Sequence, residues 1–170
     1  AAQWLERLNQ DQLADALFQY GQLKRSRKLA AAIARRRPVR TTFDLNAAVE
    51  PLLDPADPNG DLARIYQALR ILVNDELQAL RRILRAAPRL LKPEGRLVVL
   101  SYHSLEDGMV KRCFRTGDPD GVAVPDFFGR KSTPWRVLTP KPIVADESEL
   151  ARNPRARSVR LRAAEKTTQQ

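Results

Sequence analysis

The chain has 170 residues, 43% of them hydrophobic, which is enough for a packed core and too apolar for a disordered segment. Lys and Arg number 30 against 20 Asp and Glu, a net charge of +10 that suits a polyanionic partner, with nucleic acid ahead of an acidic membrane surface. No apolar run approaches the roughly 20 residues of a membrane span, no signal-peptide pattern opens the chain, and the single cysteine, Cys113, has no internal disulfide partner. Together these fit a reducing cytoplasm and no membrane association.

The first region, from Ala1 to about residue 50, is predicted helical. Asn9 and Gln12 form a capping pair, Leu13, Leu17 and Tyr20 share one face, and Gly21 is placed to stop that helix. A second helix runs from about Lys24 to Arg36 with Leu29 and Ile33 inward, and Pro38 ends it. Thr42 is expected to cap a short third helix carrying Leu45 and Val49. Residues 51–60, with three prolines and a glycine, read as a linker.

The second region, 61–166, alternates helix and strand, and 167–170 form a tail. Asp61 is expected to cap a long helix with Ile65, Leu69, Leu72, Leu80 and Leu84 on its apolar stripe. Residues 96–101 have an unbroken apolar centre, the pattern of a strand buried on both faces in the interior of a sheet. A helix over 105–115 stacks Leu105, Met109 and Cys113 on one stripe, and Gly117 lies just past its end. Residues 117–134 are expected to be a long surface loop. A strand over 135–139, a short helix capped by Asp146 and a half-exposed strand over 158–163 complete the pattern. In that last strand Val159, Leu161 and Ala163 face in, and Arg160 and Arg162 face out. The order indicates an α/β fold, the later half of a sheet with an antiparallel pair at its edge.

Chemistry concentrates in Ser101-Tyr-His-Ser-Leu-Glu-Asp107, which leaves the apolar strand and enters a helix. Ligands of open α/β sheets bind at such carboxyl ends. Ser104 and Asp107 have capping-box spacing, so capping and substrate contact are both open for them. His103, the only histidine, is not explained by capping and is open to a catalytic or a packing role; no second ligand stands beside it for a metal. Gln67, Arg70 and Asn74 form a polar ladder that is either a solvated helix face or a contact for a phosphate or base edge. Arg155 and Arg157, in the basic turn before the last strand, are phosphate-contact candidates, together with Lys111 and Arg112. No glycine-rich strand-to-helix loop, Walker motif or paired-cysteine zinc site is present in this sequence.

Three ordered blocks resemble the RsmH/MraW family of ribosomal RNA methyltransferases: Gln67 to Leu77, Gly95 to Asp107, and Asn153 to Lys166. Shorter echoes are Tyr20-Gly21, Thr41-Thr42 and Thr139-Pro-Lys-Pro-Ile143. The resemblance implies a Rossmann-like methyltransferase domain, here its second half, preceded by part of a helical inserted domain that recognises substrate. It implies S-adenosylmethionine as methyl donor, with a binding motif expected in a segment absent from this chain, supplied by a missing N-terminal half or a second copy. It implies transfer to the N4 amine of a cytidine in small-subunit ribosomal RNA. Ser101 and His103 then become the catalytic candidates, orienting the base or taking its proton, with Ser104, Glu106 and Asp107 close to the RNA. The competing expectation is a non-catalytic RNA-binding or assembly module lacking its cofactor half.

Overall fold

The structure is a computed structural model that describes residues 1–122 and 133–168. The chain divides into two compact units, Ala1–Glu76 and Leu77–Gln170.

The first unit is helical: α1 (Ala2–Arg7), α2 (Gln10–Gly21), α3 (Ser26–Arg35), α4 (Thr42–Val49) and α5 (Pro58–Asn74). Asn9 and Gln12 form the expected reciprocal cap on α2. Gly21 is the last residue of that helix, and Gln22 takes the left-handed conformation after it. Gly21 answers to packing instead: a Cβ there would meet the Arg64 carbonyl at 2.9 Å, so α2 and α5 approach closely only with glycine. The cap of α4 is Thr41, paired with Asp44, one residue earlier than expected.

Asp57 caps α5 in place of Asp61, which is buried and accepts the Asp54 backbone N–H at 2.9 Å. The proline-rich stretch is therefore less linker than tether, with a short 3-10 turn at Glu50–Leu52 and α5 starting inside it. Ile65, Ala68 and Leu69 join Leu13, Leu17, Leu29 and Ile33 in one core. Full burial of each such leucine or isoleucine contributes about 1.5–3 kcal/mol, which holds α5 to the preceding helices. The break between units consequently falls after α5. The long helix predicted from 61 onward is two helices, interrupted at Asp75, whose φ of 52° places it in the left-handed region.

The second unit contains α6 (Glu76–Leu90), β1 (Arg96–Ser101), α7 (Ser104–Thr116), β2 (Trp135–Val137), α8 (Glu147–Arg152) and β3 (Arg160–Lys166). Its sheet has the order β1-β3-β2, and β3 is antiparallel to both neighbours. In the described sheet β3 is the central strand and β1 lies at an edge, in contrast to the interior position expected for 96–101. Val98 and Leu100 are more than half exposed on one face, while Leu97, Val99 and Ser101 turn toward the core. An apolar run reports two apolar faces but not what covers them.

The core of this unit gathers Leu84 and Ala87 of α6, Met109, Val110, Cys113 and Phe114 of α7, Trp135 of β2 and Ala164 of β3. The Phe114 and Trp135 rings stand 5.5 Å apart in a tilted pair. Gly117, at φ +84°, closes α7 as predicted. Of the expected loop over 117–134, residues 123–132 lie outside the described residues.

Candidate functional site

The turn from β1 into α7 is two residues long, Tyr102 and His103. His103 is extended, with φ −141° and ψ 163°, and its Nδ1 accepts the Glu106 backbone N–H at 3.3 Å. The Glu106 carboxylate accepts the Tyr102 N–H at 2.9 Å. The two bonds satisfy orphan donors at the turn and helix start much as a capping box does, with imidazole as the cap. Of the two readings open for Ser104 and Asp107, capping is not the one seen, and the expectation that His103 has no capping role is corrected: α7 begins at Ser104, which is exposed, and His103 is its cap.

The cap also bears on the histidine's tautomer. With Nδ1 accepting, the neutral ring carries its proton on Nε2, which lies 3.5 Å from Glu106 Oε1. The side chain is only 5% exposed, so the ring is held rather than free to turn. Beside it, at the end of β1, Ser101 is 1% exposed, and its Oγ has no hydrogen-bond partner among the described residues. Buried hydroxyls are ordinarily paired, which makes Ser101 an unusual group at the carboxyl end of this strand.

Asp107 points the other way along the helix start, onto the sheet. Its Oδ1 and Oδ2 accept from Arg162 Nε and Nη2 at 2.6 and 3.1 Å, and Arg160 Nη1 adds a longer contact at 3.4 Å. Burial raises the Asp107 carboxyl, but the hydrogen bonds and charge of Arg162, and then Arg160, outweigh it and hold the group below its usual range. Asp107, a substrate-contact candidate from sequence, is thus occupied inside the protein. The expected inward–outward alternation of the last strand is reversed at Arg162, which is 5% exposed, because Asp107 supplies the countercharge on that face. Sequence reasoning missed this pair, whose members are 55 positions apart.

Of the remaining candidates in this unit, Lys111 is exposed, and Arg112 donates from Nε to the Pro119 carbonyl at 3.2 Å. Arg155 and Arg157 are both exposed on a 3-10 turn, Pro154–Ser158, that precedes β3. Gln67, Arg70 and Asn74 belong to the first unit and have internal partners there. Gln67 Nε2 donates to the Tyr20 carbonyl at 2.9 Å, and Arg70 Nε and Asn74 Nδ2 converge on Glu76 Oε1 at 3.0 and 3.1 Å.

The β1–α7 turn is the direct strand-to-helix passage among the described residues, and it contains no glycine. At its helix N-terminus the Glu106 N–H is taken by His103, and the Tyr102 N–H just before the helix by the Glu106 carboxylate.

An α/β unit with a polar corner at a strand end and a large excess of cationic side chains defines a protein suited to work on a polyanion. Comparison with known proteins sharpens this. The model of the MraW methylase family matches residues 1–167, and the chain belongs to that family. It is 47% identical over 169 residues to the "Ribosomal RNA small subunit methyltransferase H" of Bacteroides thetaiotaomicron, covering 98% of this chain and 56% of that protein. Proteins of the same name from Acidobacterium capsulatum and Porphyromonas gingivalis are each 44% identical, with 98% of this chain covered and 52% and 56% of theirs. The chain spans about half the length of these relatives.

Proposed function

We propose that the chain is part of an enzyme that transfers a methyl group from S-adenosylmethionine to the N4 amine of a cytidine in small-subunit ribosomal RNA. The carrying observation is the family match over residues 1–167, which takes in the Ser101–Asp107 corner. In this reading the three strands are the later part of a larger Rossmann-like sheet, and the helical first unit is part of a substrate-recognition insert. S-adenosylmethionine supplies the activated methyl group when bound.

What these residues contribute is orientation. The cytidine amine is a poor nucleophile because its lone pair is delocalised into the ring, so the base must be extruded and held in line. Ser101 Oγ, buried and unpartnered among the described residues, offers one donor and two acceptor sites to the base edge. His103, with Nδ1 engaged by the helix, presents a donor rather than a proton acceptor. The geometry therefore favours base orientation over proton abstraction for His103. Arg155, Arg157 and Lys111 supply sequence-independent phosphate contacts.

The test is methyl transfer by the full-length protein from methyl-labelled S-adenosylmethionine to small ribosomal subunits lacking the modification, followed by nucleoside analysis. Label in N4-methylcytidine is expected. Label in another nucleoside, or none, would remove this reading.

A further inference from the structure

The second unit contains a cavity of about 330 Å³ that neither the β1–α7 corner nor the Arg155 turn explains. It opens beside the C-terminal half of α7 and the residues that follow β2. Its apolar lining comes from Phe114, Val137 and Pro140. Lys111 and Arg115, one helical turn apart on α7, are both exposed and both line it. The volume falls at the lower end of the roughly 300–1,000 Å³ typical of small-ligand sites.

The charges here are available in a way that others nearby are not. Arg81 and Arg85 are ion-paired to Asp120, and Arg85 also to Asp118. Lys111 and Arg115 have no carboxylate partner among the described residues. Arg162 also lines the cavity, and its fork is engaged by Asp107 through Nε and Nη2 only. Nη1, on the other edge of the guanidinium plane, makes no hydrogen bond among the described residues. Two cations without a carboxylate partner among the described residues, beside an apolar recess that the Asp107-held Arg162 guanidinium also lines, are matched by a ligand that is anionic at one end and flat and apolar at the other.

We propose that this cavity receives one splayed nucleotide of a single-stranded RNA segment, its phosphate held by Lys111 and Arg115 and its base lodged against Val137 and Pro140. The proposal rests on the reading of the protein as acting on RNA, and it adds a docking position apart from the base that is modified. A phosphate alone has no use for the apolar recess. A base within a duplex stack cannot reach it, whereas unstacked bases are the usual targets of single-strand recognition.

The probe is a fluorescein-labelled decauridine, titrated with full-length protein by fluorescence anisotropy over a series of salt concentrations. Each phosphate contact on a single strand contributes about 0.7 to the slope of log affinity against log salt. Lys111→Gln with Arg115→Gln removes the contact to that one phosphate and should reduce the slope by about 0.7 and weaken binding several-fold at low salt. Both side chains are exposed, so the melting temperature should not change. Val137→Phe, which fills the recess, should weaken binding several-fold at every salt concentration without altering the slope. An unchanged slope in the double variant, or unchanged affinity in Val137→Phe, overturns the proposal while leaving RNA binding intact. If the unsubstituted protein binds no decauridine and no ribosomal RNA, the functional reading fails along with the pocket.

Discussion

Arg162 grips Asp107 side-on, Nε to Oδ1 at 2.6 Å and Nη2 to Oδ2 at 3.1 Å, with both side chains less than a tenth exposed. The pair ties α7 to the central strand. Asp107→Ala leaves a buried guanidinium without its countercharge, a loss on the order of 3–5 kcal/mol. Chemical denaturation should show it as a lowered midpoint. An effect below about 1 kcal/mol would mean that water solvates the freed Arg162 guanidinium in place of the carboxylate.

The same pair sets an acid limit. The Asp107 carboxyl is depressed in the folded protein, so its contribution is present above its unfolded value of about 4 and is lost as pH falls through the lower folded value. Thermal melts taken from about pH 6 downward should fall more steeply in the parent than in Asp107→Asn, once the neutral-pH difference is subtracted. Parallel curves would assign the acid sensitivity elsewhere.

His103 combines a structural duty with a proposed functional one, and two substitutions separate them. His103→Ala removes the cap from α7 and should cost about 1 kcal/mol, whereas His103→Asn can still accept the helix N–H and should cost less. In the full-length protein both should slow methyl transfer at least tenfold while changing RNA affinity little. Recovery of rate together with stability in His103→Asn would make His103 a cap and nothing more.

Arg155 and Arg157 stand exposed on the 3-10 turn before β3. Replacing both by alanine should weaken ribosomal RNA binding and lower its salt slope by about 1.4. Affinity equal to the parent at all salt concentrations would mark the turn as a solvated loop.

Cys113 is packed in the core, where burial, and then the charge of Asp118, push its thiol up to about 11. At roughly pH 8 almost none is thiolate. Iodoacetamide should therefore leave the native protein unmodified over hours and label it within minutes in denaturant, as read by intact mass. Rapid labelling of native protein would show that the α7 core opens.

Local features were legible in the residues wherever the physics is local. The Asn9–Gln12 cap, the Gly117 helix end and the Asp146 cap of α8 depend on atoms within a few positions of one another. Where several residues could serve, the choice slipped by a position or more: Thr41 for Thr42, Asp57 for Asp61, and His103 for Ser104. In the last case imidazole is a rare cap, and no local rule favours it.

By itself the sequence determined the helical and α/β segments, the cationic surplus and the chemically dense corner at the end of β1, since each follows from composition or short-range periodicity. Three things were decided only by tertiary structure. Asp107 and Arg162 became a buried pair because antiparallel β3 brings position 162 beneath the start of α7. The break between units moved to follow Glu76 because α5 buries Ile65 and Leu69 against α2. β1 became an edge of the described sheet because β3, late in the chain, pairs on both sides. Each depends on which distant surfaces meet, and burial free energy rewards area removed from water whatever the separation along the chain.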